Sequence, residues 1–390
     1  MSKITPTITI SISGNTHYEL GFQHGKKLAK QFHRILPLLR RQVNDYFTIP
    51  FQQYLTRSTE EIEPIIIADY PDLYQELQGM IDGSKENRGP KSLTIQHLIA
   101  WNSFLSYACT PATSWPPKKS KKEQCSAFIA TGSHTATGEI IMAHTTHCEK
   151  YMGEFTNIIM TIIPPERKGN PFIMQTCPGL LFSSADWYIS STGIIGCETT
   201  ISDTTYSVEF ESGRKTPIFC RARISAQYGT TIDNAIEYLV EKNAGDYPCG
   251  WLFGDIKTGE IASLEMGKNI VDIQKKTDGC FYGMNAPHSE LLRKMETEDK
   301  QYDDISTTSG ARNARLNELL NKVYKGTIDL EIAAGIIHDR YDFYLKKERK
   351  SKRNIWKETE KNGEFYGSVD AKVVSSTLAK DMRFLWELAV

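Results

Sequence analysis

The sequence predicts an α+β fold, because a helical N-terminal part is followed by short strands and then by further helices. Apolar residues recur at helical spacing before residue 120, and β-prone runs bounded by turn residues begin at Cys125. The chain has 390 residues, of which 40% are hydrophobic and 24% charged. This is enough for one large domain, or two closely packed ones, around a sizeable core.

Three helical segments are predicted in the N-terminal part. The first spans residues 17–47 and is expected to break at Pro37. The second begins at Ser58, which has capping-box spacing to a glutamate three residues later, so that Pro64 falls in the first turns. The third covers residues 92–107. The apolar faces of these helices need a partner, and the later strands need covering.

The segment 110–124, with the sequence TPATSWPPKKSKKEQ, fits neither pattern. Its prolines and lysines predict an exposed loop. The basic run 118–122 has no interleaved aromatic residues, and the net charge of the chain is -1 with a pI of about 6.8, so we expect no nucleic-acid partner. The loop ends directly before Cys125, where cleavage would expose a new N-terminus.

From Cys125 onward the pattern becomes that of β-strands. The runs 125–131 and 139–146 are joined by the turn-rich GSHTATG and predict a hairpin, and the runs 250–255 and 260–266 predict a second one. Further strands are predicted at 156–163, 172–176, 193–201, 206–211 and 372–382, and helices at 231–242, 311–322 and 328–338.

The N-terminal sequence lacks the apolar run and the cleavage site of a signal peptide. The longest apolar runs, such as 65–68 and 158–163, are too short to cross a bilayer, so no stable membrane insertion is expected. The eight cysteines include no Cys-x-x-Cys pair. We interpret them as reduced thiols of a cytoplasmic protein, most of them buried.

The first hairpin brings a cysteine towards a histidine. A loop centred near residue 135 places Cys125 opposite Thr145, with His144 and Thr146 beside it. The cysteine and histidine can then form a thiolate–imidazolium pair. Alternatively, cleavage before Cys125 gives that residue a free α-amine, whose ordinary pKa of about 7.7–8.0 suits it to accept the thiol proton. The local sequence leaves both mechanisms open.

Several segments carry a family resemblance. QCSAFIATGSHTATGEIIMAHTTH resembles the processing site of the phospholipase B-like and C45 acyltransferase families, which are N-terminal-nucleophile (Ntn) hydrolases, and YELGFQHGKKL resembles a helix of the acyltransferase branch. GIIGCETTIS, GWLFGDIKTGEIASLEMG, GMNAPHSE and GSVDAKVVSSTLAKDM resemble later phospholipase B-like blocks in the same order. The resemblance covers about residues 17–382 and implies a four-layer αββα sandwich. It also implies self-cleavage between Gln124 and Cys125 into chains 1–124 and 125–390, which together form one folded unit.

The resemblance assigns roles to four residues. Cys125 matches the nucleophile, and His144 matches the histidine of the facing strand. Thr199 and Thr200 match a threonine pair near the nucleophile. These matches imply that the Cys125 thiol attacks an acyl bond, that His144 orients the amine or polarises the carbonyl, and that the threonines supply hydrogen bonds.

Two positions depart from the family pattern. His147 stands where the family has a tryptophan of the pocket wall. The stretch before Trp251, which includes Cys249, lacks the asparagine that helps to hold the oxyanion in the family. Backbone N–H groups or Asn285 are the expected substitutes. The expected pocket residues are therefore His147, Cys249 and Trp251.

A metal or nucleotide cofactor is not expected. His144, His147 and Cys148 could form a metal cluster, but residues 144 and 147 of one strand point to opposite faces, and no partner pair has zinc spacing. The glycines near residue 250 do not form a phosphate loop between a strand and a helix. Asp186 and Glu198 are interpreted as hydrogen-bonded structural acids. Arg312 and Arg315, three residues apart, are interpreted as the solvated face of a helix.

The expected activity is that of an autoproteolytically activated cysteine hydrolase or acyltransferase. Its substrate is a small acyl amide or a lipid-like acyl ester, cleaved through a thioester on Cys125. Two alternatives stay open: a phospholipase B-like lipid ester hydrolase, and a degenerate family member that binds an acyl ligand or a partner without catalysis. The sequence does not decide whether the chain forms a homo-oligomer.

Overall fold

Two β-sheets lie face to face, and helices cover the outer side of each sheet. The computed structural model describes residues 7–109, 125–298, 301–361 and 364–389. Its helices are α1 (His17–Lys27), α2 (Ala29–Phe32), α3 (Ile35–Tyr46), α4 (Phe51–Asp69), α5 (Pro71–Glu86), α6 (Ile95–Asn102), α7 (Phe104–Ala108), α8 (Lys150–Gly153), α9 (Ile218–Tyr228), α10 (Ile232–Val240), α11 (Glu290–Glu296), α12 (Thr308–Glu318), α13 (Leu330–Ile337) and α14 (Ser376–Lys380). Its strands are β1 (Ile8–Ser13), β2 (Ser126–Thr131), β3 (Ile141–Thr145), β4 (His147–Glu149), β5 (Ile158–Ile163), β6 (Phe172–Thr176), β7 (Trp187–Ser190), β8 (Ile194–Thr200), β9 (Cys249–Asp255), β10 (Ile261–Met266), β11 (Val271–Lys276), β12 (Gly279–Gly283), β13 (Tyr341–Asp342), β14 (Lys347–Glu348), β15 (Glu358–Lys361), β16 (Glu364–Ser368), β17 (Asp370–Ser375) and β18 (Leu385–Leu388).

The larger sheet has eight strands in the order β1-β5-β6-β7-β8-β9-β10-β11. Its neighbouring strands are antiparallel, except that β1 and β5 run parallel. Strand β1 pairs from Ile8, opposite Ile158, to Ser13, opposite Ile163. A segment that precedes Cys125 in the chain therefore supplies an edge strand of this sheet.

The smaller sheet has five strands in the order β12-β2-β3-β17-β18. Strands β2 and β3 form the hairpin predicted from the sequence, and β17 lies on the other side of β3. Two small sheets, β13-β14 and β15-β16-β4, lie outside this pair. Cys125 thus lies directly before β2, a strand in the interior of the smaller sheet.

Three apolar clusters define the layers. The first joins the N-terminal helices to the larger sheet and contains Leu77 of α5 and Met160 of β5. The second lies between the sheets and contains Ile129 of β2 and Ile195 of β8. The third joins the smaller sheet, through residues such as Phe128, to α12 and α13. This order of helices, sheet, sheet and helices confirms the four-layer αββα sandwich.

Helices α1 and α5 cross at backbone contact. A Cβ atom at Gly21 would lie 1.9 Å from the carbonyl oxygen of Glu76, and one at Gly79 would lie 2.0 Å from that of Tyr18. Only glycine allows such an approach. The glycines of the motif YELGFQHGKKL therefore serve packing between these helices.

Helix boundaries differ from the predicted ones. Pro37 does not break a helix, because it lies in the first turn of α3, where its missing N–H has no helical partner to lose. The predicted helix 17–47 is interrupted instead at Leu28 and at residues 33–34. Helix α4 begins at Phe51 and not at Ser58, which places Pro64 inside the helix. No helix in these described ranges combines the length and the apolarity of a membrane-spanning segment.

Most predicted strands are found within a few residues, with two exceptions. The predicted strand 206–211 is wrong. Strand β8 pairs with β7 and β9, so neither of its sides is free for the segment, and only isolated bridges occur at Thr204 and Glu211. The predicted strand 372–382 is correct only in its first part, because β17 ends at Ser375 and α14 follows. The predicted loop 110–124, with the cleavage site, lies outside the described residues.

Candidate active site

The register of the β2–β3 hairpin decides which side chains Cys125 meets. Ser126 pairs with Thr145, and Ala127 pairs with His144. The predicted register, with Cys125 opposite Thr145, is therefore wrong by one residue. Because side chains alternate along a strand, the observed register puts Cys125 and His144 on the same face, whereas the predicted one separates them.

Three reactive groups meet between the sheets. The Cys125 sulfur, a ring nitrogen of His144 and a carboxylate oxygen of Asp186 all lie within 4.8 Å of one another. All three residues are buried, and Asp186 is the most exposed at 8%. Thiolate, imidazole and carboxylate are ligands that zinc accepts, so the expected absence of a metal stays a prediction. The set of His144, His147 and Cys148 forms no such group in the described part of the chain.

His144 is held by a carbonyl group of the larger sheet. Its Nε2 atom lies 2.8 Å from the backbone oxygen of Glu198. A carbonyl only accepts, so Nε2 carries the hydrogen, and Nδ1 is unprotonated in the neutral ring. Nδ1 is buried and has no hydrogen-bond partner among the described residues. Burial, and after it the charge of Lys372, lowers the pKa of His144 well below its usual value, so the ring is neutral at physiological pH.

The Cys125 thiol is neutral as well. Burial, and then the nearby carboxyl groups of Asp186 and Glu198, raises the pKa of the thiol well above its usual value. A hydrogen bond from the backbone N–H of His147 acts in the opposite direction but is outweighed. A neutral thiol beside a neutral imidazole is not a thiolate–imidazolium pair. Of the two mechanisms that the sequence leaves open, these charge states favour the one in which the α-amine of Cys125, and not His144, is the base.

Asp186 and Glu198 form a buried carboxyl pair. Their side chains are hydrogen-bonded to each other, and burial raises the pKa of Asp186 to about 6. The Tyr247 hydroxyl donates to Glu198 Oε2 at 3.0 Å and lies 2.7 Å from the Thr200 hydroxyl. Two carboxyls in contact share a proton, because their full ionisation in a buried site is costly. The interpretation of both as structural acids is incomplete, since Asp186 also lines a cleft with Cys125.

Lys372 is a buried cation that sequence reasoning missed. It stands opposite His144 in the β3–β17 ladder and is fully buried. Its ammonium group donates to Asp370 at 2.9 Å and to Thr146 at 2.8 Å. The sequence signal was a lysine two residues after an aspartate in the segment DAKVVS, because a buried charge needs a partner of opposite sign.

A cleft opens over Cys125, with an empty volume of about 1040 Å³ that is partly open to solvent. The polar part of its lining includes Cys125, His147, Asp186, Thr200 and Tyr247. Most of the remaining wall is apolar or aromatic and comes from several elements: Trp101, Phe104, Leu105, Met152, Leu180, Phe182, Ile218, Phe219, Ala222 and Trp251. A wall of this kind suits an apolar group larger than a methyl or acetyl group.

Two of the three expected pocket residues line the cleft, and the third does not. His147 and Trp251 line the cleft. His147 belongs to β4, a separate strand that pairs with β16, so the argument that residues 144 and 147 share one strand is wrong. Cys249 pairs with Thr200 between β8 and β9 and is fully buried outside the cleft lining.

The two threonines and Asn285, which were expected at the site, have different surroundings. Thr200 lines the cleft, whereas Thr199 packs against Gly283 of the smaller sheet, where a Cβ atom would lie 2.3 Å from its hydroxyl oxygen. The Asn285 amide donates to the carbonyl oxygen of Thr200 at 2.7 Å and accepts from Arg312 at 2.9 Å. With both amide atoms engaged, Asn285 is suited to hold β8 in place.

The interpretation of Arg312 as a solvated residue is wrong. Its side chain is fully buried, and it donates to the carbonyl oxygen of Cys125 at 2.5 Å and to the Ser126 hydroxyl at 3.1 Å. Burial lowers its pKa to about 10, so it stays a cation at neutral pH. Arg315 is nearer the surface and pairs with Asp339 at 2.6 Å. The three-residue spacing of the two arginines predicts a shared helix face, but it does not show that α12 packs against the smaller sheet and buries Arg312.

Solved structures of several enzymes resemble the chain at low identity. A mutant of conjugated bile acid hydrolase from Clostridium perfringens has 12% identity and a TM-score of 0.42, and the match covers 67% of this chain and 89% of that chain. A second variant of that hydrolase has 11% identity and a TM-score of 0.41, with the same coverage. Penicillin V acylase from Agrobacterium tumefaciens has 10% identity and a TM-score of 0.41, covering 68% of this chain and 83% of its own.

Sequence comparison at the level of families is more decisive. No curated protein sequence matches the chain. The sequence model of the family Phospholipase B matches residues 67–283, which include Cys125, His144, Asp186 and Glu198. This match spans more than half of the 390 residues. The chain therefore belongs to the phospholipase B family.

Proposed function

We propose that this protein is a cysteine Ntn hydrolase, which cuts itself between Gln124 and Cys125 and then cleaves an acyl amide or ester through a thioester on Cys125. The observation that carries the proposal is the position of Cys125, which stands directly before β2, lines the cleft, and lies within 4.8 Å of both His144 and Asp186. A nucleophile directly before a strand becomes a chain terminus when the bond that precedes it is cut.

The charge states support the α-amine of Cys125 as the base. Burial keeps the thiol protonated and the His144 ring neutral, with a pKa too low for it to take a proton readily near neutral pH. The free α-amine has an ordinary pKa of about 7.7–8.0. It therefore accepts the thiol proton over the physiological pH range, and one residue supplies both nucleophile and base.

The reaction proceeds in two acyl transfers. In self-cleavage the sulfur attacks the Gln124 carbonyl carbon, and the C–N bond to Cys125 breaks, which frees the α-amine and leaves a thioester. Water then hydrolyses this thioester and releases the Gln124 carboxylate and the thiol. In the mature enzyme the sulfur attacks the substrate carbonyl while its proton passes to the amine. The amine returns this proton to the leaving amine or alcohol, and water then releases the acid from the thioester.

Arg312 holds the nucleophilic residue in place. It donates to the Cys125 carbonyl oxygen and to the Ser126 hydroxyl from a fully buried position. These hydrogen bonds fix the backbone on the far side of the thiol and the amine, so that the free rotation of a chain terminus is restricted. Orientation of this kind contributes to the rate without taking part in bond making.

The cleft favours an apolar acyl group. Apolar and aromatic side chains form much of its wall, and the Asp186 carboxylate of its lining lies within 4.8 Å of the Cys125 sulfur. We place a linear acyl amide first, as the bond that suits the amine–thiol mechanism, and a lipid acyl ester second, as the name of the phospholipase B family suggests. Membership of that family does not choose between the two bonds.

Mass spectrometry of purified protein tests this proposal. The wild type should yield chains of residues 1–124 and 125–390 and should gain one acyl group on Cys125 when mixed with p-nitrophenyl octanoate or N-octanoyl amides. Cys125→Ala should stay intact and gain none. Cys148→Ala is the matched control, because Cys148 lines the same cleft, and it should behave as the wild type. A wild type that turns over these substrates as a single chain would exclude the amine mechanism.

A further inference from the structure

Three side chains bring three different donor atoms to one point between the sheets. The Cys125 sulfur, a ring nitrogen of His144 and a carboxylate oxygen of Asp186 lie within 4.8 Å of one another, and no other such group of histidine, cysteine and acidic residues occurs within the described ranges. In a tetrahedral zinc site the donor atoms are about 3.3–3.6 Å apart, given metal–ligand distances of about 2.0–2.3 Å. A change of at most about 1.5 Å in any separation therefore gives the geometry of a zinc site.

His144 is held as a metal-binding histidine is held. Its Nε2–H donates to the backbone oxygen of Glu198 at 2.8 Å, which leaves the lone pair of Nδ1 for another partner. Nδ1 is buried, and no group of the described residues forms a hydrogen bond with it. Histidines that bind metals almost always donate their other ring N–H to a carbonyl or a carboxylate. Burial also keeps the ring neutral, which is the form that binds a metal.

Asp186 supplies an anionic oxygen donor. Burial raises the pKa of this carboxyl, whereas hydrogen bonds with Glu198 and Tyr247 lower it, and the resulting value of about 6 leaves the group ionised at neutral pH. Its backbone is held in the left-handed region, with φ at 51°, and its carbonyl oxygen accepts the N–H of Glu198 at 3.1 Å. A costly backbone conformation at a reactive site indicates that the direction of the side chain matters. Because a carboxylate has two oxygens, one can bind a cation while the other keeps its hydrogen bonds.

The charges around the sulfur favour a cation. After burial, the carboxyl groups of Asp186 and Glu198 are the largest causes of the raised pKa of the Cys125 thiol. The negative potential that disfavours a bare thiolate attracts a divalent cation, which then stabilises the thiolate. Lys372 opposes this attraction, but its charge is paired with Asp370 at 2.9 Å. Cys125 and Asp186 both line the cleft, which gives an ion from solvent a path to the donors.

We propose that Cys125, His144 and Asp186 bind a zinc ion, which reversibly blocks the nucleophile. Zinc accepts sulfur, nitrogen and oxygen donors together, whereas Mg²⁺ and Ca²⁺ select oxygen donors. The thiol proton passes to solvent as the zinc–sulfur bond forms, while the carboxylate and the neutral imidazole bind without losing a proton. In the cleaved protein the α-amine of Cys125 is a further nitrogen donor, so that one ion occupies both nucleophile and base.

The metal site itself does not depend on the proposed function, whereas the block rests on it. The zinc ion takes no part in the proposed reaction and acts as an inhibitor. The expectation that the reaction uses no metal cofactor is therefore unaffected.

Titration of the purified protein with Co²⁺ tests the site, since Co²⁺ bound to a thiolate has a sulfur-to-metal absorption band in the near ultraviolet. The wild type should develop this band, and Zn²⁺, which binds such sites more tightly, should abolish it. Cys125→Ser should give no band, and Asp186→Asn should bind Zn²⁺ at least about tenfold more weakly. Cys148→Ala is the matched control and should retain the band, because Cys148 lines the same cleft without belonging to the group.

Acylation by p-nitrophenyl octanoate tests the block. Zn²⁺ should stop the gain of an acyl group on Cys125 and EDTA should restore it, whereas Mg²⁺ should have no effect. A wild type without the cobalt band, or a band that persists in Cys125→Ser, overturns the site, and acylation at an unchanged rate with zinc bound overturns the block. If the wild type gains no acyl group even without metal, the proposed function fails, and a cobalt band that depends on Cys125 still supports the zinc site.

Discussion

At the scale of single residues, the conformation and the burial of Asp186 both carry a cost in stability. The folded protein raises its pKa from 3.8 to about 6, so between these values it binds this proton more tightly than the unfolded chain does. The free energy of unfolding therefore falls as the pH rises through this window, and the loss is complete above it. A carboxyl group that is buried in a cleft beside a candidate nucleophile reduces stability in this way.

We therefore predict that Asp186→Asn stabilises the protein at neutral pH. The gain should be about 1–3 kcal/mol near a pH of about 7.5, where the wild type bears the cost of the buried charge, and close to zero near a pH of about 4. Urea denaturation at the two pH values measures it. A gain of the same size at both values would contradict a raised pKa for Asp186.

Asp342→Asn is the matched control. Burial alone would raise the pKa of Asp342, but hydrogen bonds from Arg353 and Ser351 outweigh it and lower the pKa to about 2. This carboxylate is stabilising at neutral pH, so its amide variant should unfold more readily there. The two substitutions are chemically identical and are expected to have opposite signs.

The sequence leads to Cys125 and His144 because both belong to one hairpin, whose pairing is local. The sequence does not reveal that three other residues belong to the site, because each reaches it through a contact between distant segments. These residues are Asp186, Lys372 and Arg312. Arg312 meets Cys125 across 187 residues of chain. Polar residues are usually exposed, and only the tertiary structure reveals that these are not.

At the scale of secondary structure elements, the local sequence patterns predict whether a segment is a helix or a strand better than they predict where it begins and ends. The strands of both hairpins are recovered because alternation and turns define them within a few residues. The start of α4 at Phe51 is missed, since its cap is a proline and gives no side-chain hydrogen bond. The strand predicted at 206–211 has suitable residues, but β9 already occupies the edge of β8. The β-propensity of a segment does not show whether the strand beside which it would pair already has a neighbour.

The contact between α1 and α5 gives a prediction for one glycine of the N-terminal motif. A methyl group at Gly21 would lie 1.9 Å from the Glu76 carbonyl oxygen, so Gly21→Ala must force the helices apart. It should lower the free energy of unfolding by about 1–3 kcal/mol or more, as overpacking in a rigid core does. Glu76 also forms a buried ion pair with Arg223 at 2.9 Å, which such a displacement would strain.

Gly335→Ala serves as the control. Gly335 lies within α13, and a Cβ atom there would meet nothing within 4 Å. This variant should be more stable than the wild type by up to about 1 kcal/mol, because alanine has the higher helix propensity. If both glycine variants change stability by the same amount in urea denaturation, backbone contact does not explain the motif.

At the scale of the whole molecule, the parts of the chain before and after Cys125 share one core. Strand β1 is an edge strand of the larger sheet, and the cluster beneath that sheet draws on α1, α3, α4, α5 and α6 as well as on β5 to β10. Polar contacts reinforce it, as the Arg223–Glu76 ion pair and the 2.7 Å hydrogen bond from Ser106 to Asp246 are both fully buried. The proposed cleavage into chains 1–124 and 125–390 would therefore divide the covalent chain within one folded unit.

We predict that the two chains stay together after cleavage. Burial of about 1,000 Å² of apolar surface contributes on the order of 25 kcal/mol before association costs, which offset much of it but not all. Dissociation would also expose the edge of β5 and leave Arg223 as a buried cation without its carboxylate, at a further cost of about 3–5 kcal/mol. Size-exclusion chromatography of cleaved, undenatured protein should show both chains in one peak, at the mass of the intact protein or a multiple of it. A soluble and active 125–390 chain that elutes alone would mean that the N-terminal chain is a removable propeptide, and that the helical layer is not needed to cover the larger sheet.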